Sequence, residues 1–558
     1  MRLMRELAVL WFSGGLVWGA GAGSWEAGRG MVVSQEGRAS VVGVEVLREG
    51  GNAVDAAVAT AFALAVVHPA AGNGGGGGFL VYRSAGGESA AYDFREVAPG
   101  GVESEPWMVG GEYDAEGHHE GHGAVGVPGS VAGLYLAWQE RGRLPWRRLV
   151  EPAIRLAREG FEVTPGLASS LEWGLGRMRP YAASVAQFTR AGELYRAGDM
   201  LRQPDLARTL RRIADEGARG FYEGETARLL VAEMGRGGGF ISGEDLRGYR
   251  AKRREPVVGS YRGYEVISMP PPSSGGVVLV EMLNILEGVE LGWETYGSAR
   301  DLHWIVEAMR RAYADRAEHL GDPDFNAGMP LERLMSKSYA EGLRSTIDPG
   351  RASVSVVEGF GWGYESGETT HLSVVDPERN AVSLTTTLEY SYGSGIVVAG
   401  GGFLLNNEMG DFNAGAGLTM TNGLIGSGPN LLRPGKRMLS SMTPTIVARE
   451  GGLVMVTGSP GGRSIINTVL QTILNVVDYG MGAQEAVDAG RIHHAWFPDV
   501  VYYERFGFGA DALDGLRAMG HKMVEQDRQG VAEVIVVRDG VLEAGVDRRD
   551  PDSGVAGW

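Results

Sequence analysis

Residues 369–392 read T-T-H-L-S-V-V-D-P-E-R-N-A-V-S-L-T-T-T-L-E-Y-S-Y, and the fold turns on how this stretch alternates. Residues 371–375 and 381–389 each alternate with period two, and Asp376-Pro377-Glu378-Arg379-Asn380 between them favours a chain reversal, so the pattern predicts an antiparallel hairpin. A turn centred on Glu378 sets Leu372 opposite Leu384 and Val374 opposite Val382 on one apolar face. Thr369, His371, Ser373, Ser383, Thr385, Thr387 and Glu389 then share the other face, since a slip of one residue would mix the two. Read alone, this is a polar-faced hairpin at a sheet surface. The same register brings Thr369 opposite Thr387, within reach of a hydroxyl-to-hydroxyl hydrogen bond. A threonine hydroxyl needs a base to act as a nucleophile. The nearest one in sequence is the nitrogen of Thr369 itself, which becomes an amine only if the Glu368–Thr369 bond is cut.

Composition bounds the rest. The 558 residues, 44% of them apolar, describe a globular chain that length alone would divide into about three or four domains unless it folds as one interleaved body. The net charge of −17, with basic residues scattered, argues against nucleic-acid or anionic-lipid partners. With no cysteine, disulfides, thiol catalysis and cysteine metal sites are excluded. Arg2 and Arg5, an apolar run over 7–17 and Ala20-Gly21-Ala22 resemble a cleaved secretory signal over residues 1–22, with an uncleaved anchor as the alternative. The apolar run 53–67 is too short to span a bilayer and contains Asp55, so it reads as a buried helix capped by Asn52.

Gly72-Asn73-Gly74-Gly75-Gly76-Gly77-Gly78 contains G-x-G-x-x-G, but a helix precedes it and a strand follows, the reverse of a dinucleotide site. Strands over 79–83 and 90–96 form a second hairpin ending in Asp93-Phe94-Arg95-Glu96, where Arg95 alone reads as a surface ion pair. His118-His119-Glu120-Gly121-His122 reads as solvated loop histidines, because the surrounding glycines oppose the helix that would aim two imidazoles at one metal. Helical spacing recurs over 130–142, 149–160, 205–216, 226–234, 277–287, 299–319 and 331–345. Residues 353–368 read as a loosely packed segment suited to processing, and 413–435 as a glycine- and asparagine-rich loop. Strand 453–457 enters Gly458-Ser459-Pro460-Gly461-Gly462 ahead of helix 464–479. That geometry turns backbone N–H groups outward toward an anion or serves as a tight turn.

Taken together and in order, Gly51-Asn52-Ala53-Val54-Asp55-Ala56-Ala57, Asp93-Phe94-Arg95-Glu96, 270–276, Thr369-Thr370-His371, 406–411, Ser440-Ser441 and 459–462 resemble the γ-glutamyltranspeptidase family of the N-terminal nucleophile hydrolase superfamily. The resemblance implies an α+β, four-layer αββα body, cut before the catalytic threonine into a large subunit, 23–368, and a small subunit, 369–558, that stay together as one body. It implies that Thr369 is nucleophile and, through its amine, base, that Thr387 steadies the hydroxyl, and that Gly461 and Gly462 supply oxyanion N–H groups. Arg95, Ser440 and Ser441 would hold the substrate α-carboxylate, and Glu408 and Asp411 its α-amine. A guanidinium fork suits the first and carboxylates the second. Glu389 stands where some members have Asn, and Gly410 where others carry a second Asp, and both departures bear on substrate preference.

The activity so implied is γ-glutamyl transfer and glutathione hydrolysis through a γ-glutamyl–Thr369 ester, with water, amino acids or peptides as acceptors and no metal or organic cofactor. The signal-like segment over 1–22 implies a periplasmic or secreted enzyme, a membrane anchor being the lesser alternative. Two rivals are an acylase for glutaryl-type amides such as cephalosporin side chains, and an unprocessed, non-catalytic binding protein. Residues 413–435 are long enough to form the lid some members place over the pocket.

Overall fold

The computed structural model describes residues 25–103, 106–355, 369–418 and 427–558. Two seven-stranded sheets lie face to face. The first runs Lys252–Arg254, Ser89–Asp93, Gly77–Arg83, Ala381–Thr387, Thr370–Val375, Met31–Ser34, Gly554–Gly557. The second runs Trp25–Ala27, Val541–Val546, Glu533–Arg538, Gly452–Thr457, Thr445–Arg449, Tyr264–Ser268, Val257–Tyr261. Every neighbouring pair in both sheets is antiparallel. Helices Gly37–Arg48, Ala53–Val67 and Ser130–Arg141 cover the outer face of the first sheet. Helices Gly275–Leu286 and Ala483–Asp488 cover that of the second, with Ser464–Val477 packed against both helices, which gives the four-layer αββα arrangement. Among the described residues no helix is long and apolar enough to cross a membrane. The 1–22 segment read as a signal lies outside the described residues.

The hairpin takes the predicted register, with Leu372 opposite Leu384 and Val374 opposite Val382. Asp376 builds its turn, accepting from the backbone of Glu378 at 3.0 Å and Asn380 at 2.9 Å. The other carboxylate oxygen of Asp376 accepts from the N–H of Ala53 at 3.0 Å, so the turn also holds the first residue of the central helix. Asn52 and Asp55 close a capping box there. Asp55, inside an apolar helix, also accepts from the backbone N–H groups of Arg143 and Leu144, which is how the fold tolerates a buried carboxylate at that point.

One expectation about this hairpin fails. Its polar face does not meet solvent, because it is pressed against the second sheet and every residue of both strands is buried. The hydroxyls stitch the sheets together instead: Ser373 donates to the Glu533 carbonyl at 2.9 Å, Ser383 donates to that of Thr457 at 2.8 Å, and Thr445 N–H donates back to Ser383 at 2.9 Å. Alternation reports that two environments differ, and here the polar one is a hydrogen-bonded interior. The 353–368 segment also departs from its reading at its described start. Ser353 N–H donates to Glu307 at 3.1 Å and Ser355 N–H to Asp499 at 3.1 Å, while 356–368 lie outside the described residues.

Candidate active site

Thr369 enters the first sheet one position before Thr370, which pairs with Thr386, so the same register puts Thr369 across from Thr387. Both are almost completely buried. Glu368, the other side of the expected cut, lies outside the described residues. Asn73 fixes Thr387 from the glycine-rich stretch by donating to its carbonyl at 2.8 Å while accepting from Gly76 N–H at 3.0 Å and the Ser130 hydroxyl at 2.6 Å. The Thr387 hydroxyl in turn accepts from the N–H of Glu389 at 2.9 Å.

His371, two residues on from Thr369, is not a free base. Its Nδ1 lies 2.9 Å from the Thr385 hydroxyl and its Nε2 3.1 Å from that of Ser373, and burial pushes its pKa down to about 3. A Cβ on Gly458 would sit 2.2 Å from the His371 ring, so only glycine lets the strand Gly452–Thr457 leave the second sheet at this point. The chain then turns through Gly461 (φ +132°) and Gly462 (φ +53°), backbone that glycine adopts without penalty, into helix Ser464–Val477. This strand, glycine turn and helix start is the predicted arrangement.

Arg95 is fully buried, not the surface residue its local sequence suggests. Its guanidinium forms ion pairs with Glu408 and Asp411 and lies 3.5 Å from Glu96. It also donates to the carbonyls of Met438 at 3.4 Å and Leu439 at 3.2 Å, the two residues ahead of Ser440. Burial alone would lower the Arg95 pKa, but Glu408, Asp411 and Glu96 outweigh it and hold the charge on. Burial dominates for the acids. It pushes Glu96 up to about 8 despite Arg95, and holds Glu408 well above the usual carboxylate range. Glu408 and the half-exposed Asp411 share one short 3₁₀ turn, Glu408–Asp411, which gives the cluster a route to solvent.

The 270–276 stretch cradles the serine pair. Ser274 donates to the Ser440 carbonyl through N–H at 2.8 Å and hydroxyl at 2.7 Å, and Ser440 N–H donates to Pro272 O at 3.0 Å. The Ser441 hydroxyl accepts from Arg316 at 2.9 Å. Arg95, Glu408, Asp411, Ser440 and Ser441 are thus brought together, while the Thr387 hydroxyl holds the backbone of Glu389 just past its own strand.

The histidine run is not a solvated loop. Asp114 caps a single helical turn, Ala115–His119. His118 is buried between Met409 O at 3.1 Å and the Tyr113 hydroxyl at 2.9 Å, His119 lies 3.0 Å from Glu389, and His122 lies 3.3 Å from Glu233. Arg316 is a site neighbour that nothing in its local sequence marks, and His119, conspicuous only as part of the histidine run, lies against Glu389 and not in solvent.

Residues 413–435 return to their start. Asn413 N–H donates to Asn430 O at 3.0 Å, and Asn430 donates to Asp411 O at 2.7 Å, so the stem of this loop is pinned beside the acidic turn. Its tip, 419–426, where a lid would close, lies outside the described residues.

One further group has metal-ligand character among the described residues: His303, Glu307 and His521, with ligand atoms within 4.8 Å of one another. Glu307 is already held by Arg310 at 3.2 Å, Arg311 at 2.6 Å and Ser353 N–H, while His303 pairs with His521 at 2.8 Å. Two guanidinium groups beside the only carboxylate oppose a cation, and the group reads as an internal clasp on residues 348–353.

The chain has relatives among known proteins. A family model described as gamma-glutamyltranspeptidase matches residues 39–557. The glutathione hydrolase proenzyme of Escherichia coli (strain K12) is 45% identical over 535 residues, 95% of this chain and 92% of that protein. The crystal structure of a cephalosporin acylase from Bacillus halodurans superposes over 99% of both chains with a TM-score of 0.86 at 29% identity. That of Helicobacter pylori gamma-glutamyltranspeptidase covers 56% of this chain and 90% of its own, with a TM-score of 0.56 at 45% identity.

Proposed function

Since the chain belongs to the γ-glutamyltranspeptidase family, we propose that it hydrolyses glutathione and related γ-glutamyl amides, and transfers their acyl group, through an ester on Thr369. The observation that carries this is the buried meeting of Arg95 with Glu408 and Asp411 beside Ser440 and Ser441. One cation and a pair of carboxylates at one spot match an α-amino acid, whose carboxylate and ammonium are fixed on a single carbon.

In this mechanism the precursor is first cut between Glu368 and Thr369, freeing the Thr369 amine. That amine takes the Thr369 hydroxyl proton as the oxygen attacks the γ-carbonyl. The N–H groups of Gly461 and Gly462 hold the oxyanion, and Thr387 steadies the attacking hydroxyl. The C–N bond breaks as the amine passes its proton to the departing nitrogen. Water, or the amine of an amino acid or peptide, then attacks the ester carbonyl while giving a proton to the same amine; the bond from that carbon to Thr369 Oγ breaks, the proton returns to Oγ, and the acyl group leaves as the acid or the new amide. His371 stays outside these steps, since burial keeps it neutral and both nitrogens are engaged. The two subunits stay together, and an export signal at 1–22 would place the enzyme in the periplasm or outside the cell.

A glutaryl-amide acylase is the second reading, favoured by the acylase fold similarity. Denaturing electrophoresis with N-terminal sequencing tests the mechanism: the small piece should begin Thr-Thr-His. Thr369→Ala should remain one chain without amidase activity, and Thr369→Ser should keep some of both. Wild-type processing and rates in the Ala variant would show that the nucleophile lies elsewhere. An uncut wild-type chain without activity would favour a binding protein.

A further inference from the structure

Three loops meet behind the acidic turn. Glu389 follows the hairpin strand in left-handed backbone, φ +76°, which a non-glycine residue holds only where its surroundings fix it. Its N–H is tied to the Thr387 hydroxyl, and its carboxylate, largely buried, lies 3.0 Å from Nδ1 of His119. The His119 ring stacks on Tyr390, centroids 5.5 Å apart and planes within 4° of parallel, and Arg177 lies 4.5 Å over the same tyrosine.

A single side chain locks both loops. Asn407 donates to the His119 carbonyl at 3.1 Å and accepts from Tyr390 N–H at 3.1 Å, while its own N–H donates to Leu388 O at 3.0 Å. Gly410 completes the arrangement, since a Cβ there would fall 2.2 Å from His119 Nδ1 and 2.8 Å from Glu389 Oε1. A side chain at 410 and the His119–Glu389 pair exclude each other. The space beside Asp411 is therefore occupied by a carboxylate delivered from the hairpin.

We infer that His119 is a positioning residue that aims the Glu389 carboxylate and so sharpens the preference for substrates that carry a free α-ammonium. This rests on the reading of Glu389, Glu408 and Asp411 as the amine subsite. A carboxylate held by a hydrogen bond from a neighbour is pre-aimed, so the ammonium meets it without the cost of ordering it. A purely structural pair would stabilise the loops and treat all substrates alike.

The test compares γ-glutamyl and glutaryl anilides, which differ in that amine, on the same preparation of each variant, so that the fraction of folded or processed enzyme cancels in the ratio. His119→Ala should lower the γ-glutamyl/glutaryl ratio of kcat/KM by about tenfold, mainly through KM, the scale of one hydrogen bond to a charge. His119→Asn, whose amide donates from near the Nδ1 position, should recover most of the ratio. In a Glu389→Gln background, His119→Ala should change the ratio less than twofold, because the two act as one unit. An unchanged ratio in His119→Ala, or full additivity with Glu389→Gln, overturns the inference while leaving the proposed function standing. Absence of γ-glutamyl preference in the wild type would overturn both.

Discussion

Two buried ion clusters in this molecule are built differently. Around Arg491, two cations face two anions. Arg491 pairs with Asp547 at 2.7 Å, Arg549 pairs with Glu504 and Asp547, and backbone N–H groups of Arg491, Gln529, Ala532 and Arg549 satisfy the carboxylate oxygens. Around Arg95, one cation faces Glu96, Glu408 and Asp411, and the side-chain oxygens of Glu96 and Glu408 lack a well-formed hydrogen bond among the described residues. The first cluster is complete as folded. The second is short of positive charge and of donors, and in the proposed function a substrate ammonium would supply both. A saturated network belongs to the architecture, whereas a deficit kept beside a half-exposed carboxylate belongs to binding.

Breaking each cluster should separate these roles. Arg491→Ala leaves Asp547 buried and short of a partner, at a cost of about 3–5 kcal/mol. It should appear as a large fall in Tm with KM for γ-glutamyl anilide unchanged in the folded fraction, and a change in KM alone would reverse the assignment. Arg95→Lys keeps the charge but loses the fork, and should lower kcat/KM roughly a hundredfold on γ-glutamyl and glutaryl anilides alike, because both carry the carboxylate the fork would grip. Selective damage to one anilide would contradict that role.

Asp411→Asn acts on the deficit itself. Because Asp411 is 40% exposed along its side chain, its tie to the ammonium is worth about 1.5–3 kcal/mol, and the preference for γ-glutamyl over glutaryl anilide should shrink by roughly tenfold to a hundredfold. A constant ratio would move the acylase reading ahead.

The smallest effect is a pH slope. Burial raises Glu96 from an ordinary 4.5 to about 8, so the folded chain keeps that proton where the unfolded chain has lost it. The corresponding stability is full below about 4.5 and is lost as pH rises through about 8. Glu96→Gln should remove it, flattening stability against pH by at most about 1.4 kcal/mol per pH unit between those values. At Asp547 burial acts upward, but Arg491 and Arg549 outweigh it and hold the carboxyl below its ordinary 3.8. That contribution is present above 3.8 and fades on acidification, opposite in sign. Unfolding at several pH values, with and without Glu96→Gln, checks the contrast.

How far these features can be read in sequence follows from the range of the forces involved. The Asn52–Asp55 cap, helix Ala299–His319 and the hairpin register are local, set by side chains within a few residues of the backbone they satisfy, and each is found as the sequence indicates. The helix read over 331–345 breaks into Leu331–Leu334 and Lys337–Ser345, because Ser336 turns its hydroxyl to cap the second piece at Tyr339 N–H. Helices Pro165–Met178 and Ala182–Phe188 have no clear counterpart in the sequence pattern, the first carrying glycines that weaken its periodicity. At the site, Arg95 meets Asp411 across 316 residues and His119 meets Glu389 across 270. Alternation and spacing carry nothing over such distances, so Arg95 became legible only through the resemblance, and His119 only through the fold.

The order of strands in the first sheet bears on what maturation can and cannot undo. A cut ahead of Thr369 leaves Met31–Ser34 wedged between Thr370–Val375 and Gly554–Gly557, a strand from one fragment clasped by two from the other. The second sheet repeats this, with Trp25–Ala27 against Val541–Val546 at one end and Tyr264–Ser268 against Thr445–Arg449 further in. Cutting that peptide bond would therefore not part the halves. They are woven, and neither half alone contains the neighbours its own strands require. Fragments 25–368 and 369–558 made in separate cells and mixed afterwards should fail to give active enzyme, while the same two made together in one cell have the chance to weave as they fold.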